Sequence, residues 1–423
     1  MIKKTKLPDL GVESFWHALS VWPSQLPLLA LGGRGSSHLY LALEFSRVDS
    51  RLIFASKLAL GVADKELSWP QIWGVIPYDY INEQQTHGKD QAQVFAVSKY
   101  LHFHCDKQQV ELIDIETDAL VSTRVADVSL QQFFDMLKQK PAPVEESYGW
   151  QASATDEAYL KAVEDSKELI RQGRFYQINL LRYFSMTGVK DWYKAFHQHA
   201  GPFSAWMRTE DFELVSFSPE RFVNIESQND GFQIVTEPIK GTLRVSEDPA
   251  ENLRLMQQLL ASEKDQAELH MIVDLMRNDL YGICSFDSVI VSDPGSLHSF
   301  SNVHHLIARI EGRLSDNLSL NRILEVLTPG GSITGAPKRE VMRAISELEG
   351  RDRGFFMGNC IRWDPNCGNF DSSILIRTAV KQADRYEFAV GSGLVIHSCP
   401  TLELEELWAK GKVVGLSVEE TTK

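Results

Sequence analysis

The feature that most limits the fold of this chain is the shortness of the apolar runs in its first third. Residues 28–31 read LLAL and are followed at once by GGRG at 32–35, and residues 73–78 read WGVIPY. Short apolar runs bounded by glycine or proline are typical of β-strands. We therefore predict a strand-rich N-terminal region over residues 1–137.

A change of composition separates this region from the rest of the chain. Residues 138–147 read KQKPAPVEES, and two prolines among charged residues are typical of a surface linker. Beyond it, residues 156–172 have the apolar periodicity of an amphipathic helix that ends before Gly173, and residues 175–180, FYQINL, are predicted to form the next strand. We predict that residues 148–423 form a second region.

Composition excludes several classes of protein. With 423 residues, 43% of them hydrophobic, the chain can fill a core without disulfides. The net charge of −14 argues against nucleic acid or an anionic membrane as a partner. No segment has the apolar length of a signal peptide or a membrane span. The five cysteines are odd in number and lack CxxC spacing, so we expect reduced thiols and a cytoplasmic location.

Two later segments place pairs of acids on predicted helices. Residues 265–283 carry apolar residues at helical spacing, and Asp265 and Glu268 are three apart, so their carboxylates lie on one side. Glu403 and Glu406 repeat this spacing in a later segment. The two pairs could face each other and offer the oxygen ligands that Mg²⁺ prefers, although such pairs also occur on ordinary solvated helix faces.

A glycine-rich segment precedes another predicted helix. Residues 329–338 read PGGSITGAPK, and the helix is expected over residues 337–349. The segment lacks the Gly-Lys-Ser/Thr of a phosphate-binding P-loop. Its glycines, with Ser332 and Thr334, offer backbone groups suited to a carboxylate, while a plain turn and helix cap would explain any single glycine.

Two features near the end of the chain also suggest ligand binding. Residues 391–393 read GSG and follow a strand-like run, which leaves bare backbone. Arg377 lies in the apolar sequence ILIRT at 374–378, which we interpret as a strand. Burying an arginine unpaired is costly, so we expect this charge to have a partner or ligand.

Taken together, five segments resemble the chorismate-binding enzymes in order and spacing. This family includes the anthranilate, aminodeoxychorismate, isochorismate and salicylate synthases. The similar segments are SPERF at 218–222, PIKGT at 238–242, MIVDLMRND at 271–279, VHHL at 303–306 and GGSITGAPK at 330–338. The resemblance covers about residues 148–415. It implies an α+β fold of packed antiparallel sheets surrounded by helices, like anthranilate synthase component I, with the active site in a central cleft and a requirement for Mg²⁺.

Two positions distinguish branches of this family. Members that add water to chorismate carry a lysine base where this chain has Gln177, and glutamine cannot deprotonate water. Lys240 within PIKGT resembles the aminodeoxychorismate synthases, since anthranilate synthases usually have alanine there. The resemblance therefore implies component I of the aminodeoxychorismate branch, which converts chorismate and ammonia to 4-amino-4-deoxychorismate for p-aminobenzoate and folate biosynthesis. An anthranilate synthase component I and a catalytically silent chorismate-binding subunit are the alternatives.

The same resemblance implies roles for individual residues. Glu220 is similar to the general acid that protonates the departing 4-hydroxyl, and Lys240 to the nucleophile that attacks carbon 2. A salt bridge of Glu220 with Arg221, and a structural lysine paired with a carboxylate, are the plain alternatives. Glu268 and Glu406 resemble the principal Mg²⁺ ligands, with Asp265 and Glu403 behind them. The positions expected to hold the substrate are His305, Thr334, Arg377, Gly393 and Lys410.

The sequence also carries departures and an implied partner. Arg174 and His397 stand where the family usually has aspartate, which bears on fine positioning of the substrate. No Gly-x-Cys-x-Gly motif of a glutamine amidotransferase occurs. The resemblance therefore implies a separate glutamine amidotransferase subunit, component II, as the source of ammonia.

Overall fold

The computed structural model describes residues 2–49, 70–78, 92–116, 123–299 and 303–417. These residues contain nine α-helices and two 3-10 turns, Gly331–Ile333 and Lys412–Val414. The helices are α1 Glu13–Val21, α2 Leu130–Leu137, α3 Asp156–Arg171, α4 Trp192–His199, α5 Pro249–Leu260, α6 Glu263–Tyr281, α7 Leu320–Leu327, α8 Lys338–Glu349 and α9 Pro400–Gly411.

The described residues also contain twenty-one strands. They are β1 Ile2–Lys6, β2 Leu28–Leu31, β3 His38–Arg47, β4 Gln71–Ile76, β5 Gln93–His104, β6 Gln109–Ile115, β7 Thr123–Asp127, β8 Ser147–Ala152, β9 Gln177–Val189, β10 Ala205–Arg208, β11 Glu213–Ser216, β12 Arg221–Gln228, β13 Gly231–Thr236, β14 Ile239–Arg244, β15 Ile290–Ser299, β16 Val303–Arg313, β17 Gly335–Ala336, β18 Asn359–Asp364, β19 Asn369–Ile374, β20 Thr378–Gln382 and β21 Arg385–Val395.

The strands pair antiparallel and form two branches that start at β5. One branch runs β5–β3–β2–β10–β11–β20–β21–β9. The other runs β5–β4–β18–β19–β12–β13–β16–β14. The far ends of the two branches, β9 with β21 and β14 with β16, carry four residues of the candidate site, Gln177, Gly393, Lys240 and His305. The predicted α+β class with antiparallel sheets and helices is confirmed.

Early and late parts of the chain share the same sheets. Strand β2 pairs with β10, and β4 pairs with β18, so strands of the predicted N-terminal region are hydrogen-bonded to strands of the second region. The residues between α2 and β8 contain no helix or strand. The division into 1–137, a linker at 138–147, and 148–423 stays a prediction.

Two hydrophobic clusters form the core, and each combines early and late residues. The first includes Trp73, Phe222, Ile272, Leu306 and Trp363. The second includes Phe15, Phe184, Trp206, Phe388 and Trp408. Because neither cluster belongs to one end of the chain, both ends must be in place before the core is complete.

Most predicted elements lie close to their observed bounds. Helix α3 begins after Thr155, whose side chain accepts a hydrogen bond from the amide of Ala158, and Gly173 beyond its end has φ +77°. Helix α6 buries the predicted apolar stripe, and α8 ends at Gly350 in the left-handed conformation. The strand predicted at 175–180 is longer than expected, because β9 continues to Val189.

Candidate active site

Glu220 is a buried carboxyl group surrounded by cations. Its residue is only 8% exposed, and burial raises the pKa of its side chain to about 7. Lys240, a hydrogen bond with Ser332, Arg377 and then Lys410 act in the opposite direction. A carboxyl group with a pKa near neutrality can hold and release a proton under physiological conditions.

The backbone around Glu220 is fixed on both sides. Its amide donates to Ser218 Oγ at 3.3 Å, and its carbonyl accepts from the amide of Ile374 at 3.2 Å. The neighbouring Arg221 binds Glu237 at 2.8 Å and Asp371 at 3.1 Å. A salt bridge between Arg221 and Glu220 is therefore not what holds Glu220 in place.

Lys240 lies on β14 beside a β-bulge. Lys240 pairs with Leu306 and Thr242 with His305, while Gly241 between them has φ +65°. The charge of Lys240 favours the ionised forms of Glu220, and also of Glu268 and Glu406. Within the part of the chain that the structure describes, Lys240 makes no salt bridge within 4.0 Å, so the paired structural lysine is not observed.

Gly393 brings the ends of the two sheet branches together. It lies on β21, opposite Asn179 of β9, and a methyl group here would lie 2.9 Å from Nε2 of Gln177 and 3.7 Å from Nζ of Lys240. Gln177 Oε1 is buried and has no hydrogen-bond partner among the described residues. The strand-like run predicted to end before this glycine continues through it to Val395.

The acidic pairs of α6 and α9 face each other in part. Burial raises the pKa of Glu268, whose side chain is 16% exposed, and the negative charges of Asp265 and Glu403 raise it further. Lys240 and Lys264 oppose this shift. Glu403 is itself buried on α9, so the solvated-face alternative does not describe Glu268 and Glu403.

Two of the acids have local partners. Glu406 lies 2.7 Å from Lys410, and its side chain is half exposed. Burial acts to raise the pKa of Glu406, but Lys410 and more distant lysines outweigh it and lower the pKa overall. Asp265 accepts a hydrogen bond from Ser262 Oγ at 2.5 Å. Lys410 also donates to the carbonyl of Gly391 at 2.9 Å.

The four carboxylates are near one another without converging on a point. Among the described residues, no three of them bring oxygen atoms within 4.8 Å of one another. The negative charges of the four carboxylates repel one another. Lys264 and Lys410 supply part of the positive charge that compensates them. The donor set still consists of oxygen atoms, which is the chemistry that Mg²⁺ requires.

His305 and Thr334 are both buried near this cluster. Burial lowers the pKa of His305 to about 4, while a hydrogen bond to the carbonyl of Gly241 opposes the shift, so the ring is neutral at pH 7. The hydroxyl of Thr334 donates to the carbonyl of Gly330 at 2.9 Å, and its own carbonyl accepts from the amide of Asn179 at 2.7 Å. Thr334 therefore shapes the glycine-rich turn.

Arg377 does not lie in a strand, contrary to our expectation. It occupies the bend between β19 and β20 with φ 52°, a conformation uncommon for residues other than glycine. The apolar residues before it belong to β19 and its continuation, which explains the misleading pattern. Burial lowers the pKa of Arg377, and Glu220 and Glu406 act against that shift, so it does have acidic neighbours.

Sequence reasoning missed a buried ion pair beneath the glycine-rich turn. Arg353 lies 2.6 Å from Glu349 and donates to the carbonyl oxygens of Ile333, at 3.0 Å, and Asn179, at 2.6 Å. Glu349 also accepts from the hydroxyl of Tyr183 at 2.7 Å. This pair ties the turn to β9 and α8. Arg353 stands between Asp352 and Gly354 in a charged segment, and no local pattern there indicates a buried arginine.

The two departures from the family pattern lie at the margin of the cluster. Arg174 binds Glu340 at 2.6 Å and Glu347 at 3.2 Å, so it fastens the start of β9 to α8. His397 is exposed. Neither residue is among the groups that act most strongly on the pKa of Glu220.

The antiparallel sheets hold a buried acid, a lysine and facing carboxylates in one cluster with shifted pKa values, which is typical of an enzyme active site. Residues 42–414 match the family described as chorismate binding enzyme, and the chain belongs to this family. Among curated relatives, aminodeoxychorismate synthase component 1 of Escherichia coli (strain K12) is 38% identical over 62% of this chain and 57% of its own length. The Klebsiella aerogenes protein of the same name is 37% identical over 65% and 61%, respectively. Anthranilate synthase component 1 of Thermus thermophilus is also similar, at 34% identity over 64% and 58%.

Solved structures confirm the expected fold. Anthranilate synthase component I from Streptococcus pneumoniae TIGR4 superposes with a TM-score of 0.68 at 24% identity, covering 97% of this chain and 91% of that one. The menaquinone-specific isochorismate synthase from Escherichia coli gives 0.73 at 16% identity, covering 97% and 93%. None of the described helices is long and apolar enough to cross a membrane.

Proposed function

We propose that this chain is the aminating component of an aminodeoxychorismate synthase, which converts chorismate and ammonia to 4-amino-4-deoxychorismate. The observation that carries the proposal is the meeting of Lys240 and Gln177 beside Gly393, with the charge of Lys240 acting on Glu220. An acid, an amine nucleophile and a side chain that cannot activate water are the three groups that this reaction needs.

Glu220 is the general acid in this reaction. Hydroxide is a poor leaving group at neutral pH, so the 4-hydroxyl must take a proton as its bond to carbon 4 breaks. With a pKa of about 7, Glu220 is protonated often enough to give this proton, and the hydroxyl leaves as water. The resulting carboxylate is stabilised by the nearby cations.

Lys240 then determines where ammonia enters. In the same step in which Glu220 protonates the 4-hydroxyl, the amine of Lys240, once it has given up its own proton, attacks carbon 2, and the ring double bonds shift as the bond to the 4-oxygen breaks and water leaves. Ammonia next attacks carbon 4 and expels the amine from carbon 2. The ring double bonds return to their original positions, and Lys240 is free again. Gln177 Oε1 is an available acceptor for an N–H of the incoming ammonia.

The acidic cluster fits a role in metal binding. Glu268 and Glu406, with Asp265 and Glu403 behind them, would hold Mg²⁺, which when bound supplies charge to neutralise a substrate carboxylate. Because His305 is neutral at pH 7, cationic contacts to the second carboxylate come from Arg377 and Lys410. The bare backbone at Gly393 leaves room for the ring.

The product identifies the reaction. The chain is incubated with chorismate, Mg²⁺ and ammonium, and the product is assigned by NMR. We expect 4-amino-4-deoxychorismate with its pyruvyl ether intact. Anthranilate with released pyruvate would assign the chain to the anthranilate branch instead. Binding of chorismate without turnover would identify a silent chorismate-binding subunit.

A further inference from the structure

Three histidines meet outside the candidate active site. His38 on β3 lies opposite His104 on β5, and His102 lies two residues before His104, so all three side chains share one face of the sheet. One ring nitrogen from each lies within 4.8 Å of the others, and His102 Nε2 is 3.0 Å from His38 Nδ1.

A carboxylate orients one of these rings. Glu111 on the neighbouring strand β6 lies 3.1 Å from Nε2 of His104. Since a carboxylate accepts the proton on Nε2, the other nitrogen, Nδ1, keeps its lone pair. Metal-binding histidines in proteins commonly donate their second N–H to a carboxylate in this way.

The spacing of the nitrogen atoms suits a small transition-metal ion. Zn²⁺ binds imidazole at about 2.0–2.1 Å, which puts tetrahedral ligand atoms about 3.3–3.4 Å apart. The observed nitrogen–nitrogen separations, from 3.0 Å to at most 4.8 Å, bracket that value. Side-chain rotations that move the nitrogen atoms by about an ångström would bring them to the distances that a bound ion requires. His38 is exposed and the other two are partly buried, which leaves a path from solvent.

We propose that His38, His102 and His104 bind a divalent transition-metal ion such as Zn²⁺, with water in the remaining position. Nitrogen ligands select this class of ion over Mg²⁺, which prefers oxygen, so the site is chemically separate from the acidic cluster. The ion would join β3 to β5, the strand at which both sheet branches start.

Nearby charged groups have opposite effects on the binding of a metal ion. Arg362 lies 4.4 Å above the ring of Tyr40, which stacks on His102 with ring centres 4.6 Å apart. This guanidinium lowers the affinity for a cation. The negative charges of Glu111, beside His104, and of Asp106, which acts on His38, raise the affinity for a cation. The competing explanation is a packed histidine cluster held by the hydrogen bond between His102 and His38.

Metal binding by the full chain distinguishes these explanations. Purified protein is dialysed against Zn²⁺ with excess Mg²⁺ to occupy the acidic cluster, and bound zinc is measured by elemental analysis. We expect one Zn²⁺ per chain in the wild type and in His199→Ala, which removes an exposed histidine elsewhere. His38→Ala and His102→Ala should lose it, and Glu111→Gln should bind about 10- to 100-fold more weakly.

Two further measurements keep the test independent of folding defects. Co²⁺ bound to the wild type should show the intense visible absorption of a four-coordinate site, and His38→Ala, whose residue is exposed, should not. Zn²⁺ should raise the melting temperature of the wild type and of His199→Ala, but not that of His38→Ala or His102→Ala. Unchanged binding in His38→Ala, no zinc at micromolar concentrations, or zinc lost in Glu268→Gln rather than in the histidine variants would overturn the proposal.

Discussion

At the scale of the residue, Glu220 shows how burial prepares a carboxyl group for proton transfer. Its pKa of about 7 predicts that the rate falls as the pH rises through that value, because the acid form disappears. Glu220→Gln should lower kcat about 100- to 10,000-fold and abolish this limb of the pH profile. Glu226→Gln, at an exposed position on β12, the strand that follows Glu220, is the control. A limb that persists in residual Glu220→Gln activity would contradict the assignment.

The raised pKa of Glu220 also makes the stability of the folded protein depend on pH. The folded-state pKa lies above the ordinary value of 4.5, so the native protein binds the proton more tightly than the unfolded chain does. The free energy of unfolding should therefore fall as the pH rises from about 4.5 to 7 through this group. In Glu220→Gln that contribution should be missing, which urea unfolding across this pH range measures.

Lys240 allows a test that separates charge from nucleophilicity. Under turnover, intact-protein mass spectrometry should detect a substrate adduct that is absent from both Lys240→Ala and Lys240→Arg. Arginine keeps the positive charge but is not an amine nucleophile near pH 7, so the Arg variant should be as inactive as the Ala variant. Substantial 4-amino product from Lys240→Arg would remove the nucleophilic role and leave an electrostatic one.

Individual residues were predictable where a motif carried them. Glu220 and Lys240 were identified through short sequence patterns, and the structure brings both into one charged cluster. Arg377 shows the limit, since an apolar run predicts a strand but cannot reveal that the chain bends at its last residue. The orphaned oxygen of Gln177 depends on what surrounds it, and no local pattern encodes that.

At the scale of the element, α6 and α9 each carry two acids of the candidate metal site, and the charge of Glu403 on α9 acts on Glu268 on α6. If Glu268 and Glu406 bind Mg²⁺, then Glu268→Gln and Glu406→Gln should require at least about tenfold more Mg²⁺ for half-maximal activity, since each removes an anionic ligand. Glu405→Gln on the exposed side of α9 should leave the Mg²⁺ dependence unchanged. Wild-type turnover by either site variant at limiting Mg²⁺ would exclude that residue as a ligand.

Strand β21 offers a steric test. In Gly393→Ala the added methyl group would lie 2.9 Å from Gln177 Nε2, the mobile end of a side chain, so the fold should persist while the space beside Lys240 is reduced. We expect the KM for chorismate to rise about tenfold, and more if the ring is held tightly. Gly149→Ala on β8, where a methyl group meets no atom within 4 Å, is the matched control. An unchanged KM would place the substrate elsewhere.

Helices and strands differed in how well the sequence predicted them. Helices α3, α6 and α8 were placed within about two residues, because local periodicity and capping residues mark their ends. The length of β9 was underestimated, since its second half alternates less clearly and is stabilised by pairing with β21 and β8. Local sequence carries no record of such partners.

At the scale of the whole molecule, the site exists because two branches of sheet that diverge at β5 meet again. Lys240 and Gln177 are far apart along both the sequence and the hydrogen-bonded strands, yet they lie on either side of Gly393. Strand pairings as distant as β2 with β10 and β4 with β18 do not follow from periodicity. The family resemblance predicted the α+β class because it drew on motifs instead.

The last prediction concerns the source of ammonia. The chain lacks the cysteine motif of a glutamine amidotransferase, and the proposed function takes ammonia directly at carbon 4. The purified chain should therefore make 4-amino-4-deoxychorismate from ammonium but none from glutamine. Adding a glutamine amidotransferase component II should enable glutamine-dependent turnover, with nitrogen from amide-labelled ¹⁵N-glutamine appearing on carbon 4. The labelled product, followed by NMR, separates transferred nitrogen from contaminating ammonium. Glutamine-dependent turnover by the chain alone would show a glutaminase activity within it and contradict the need for a partner.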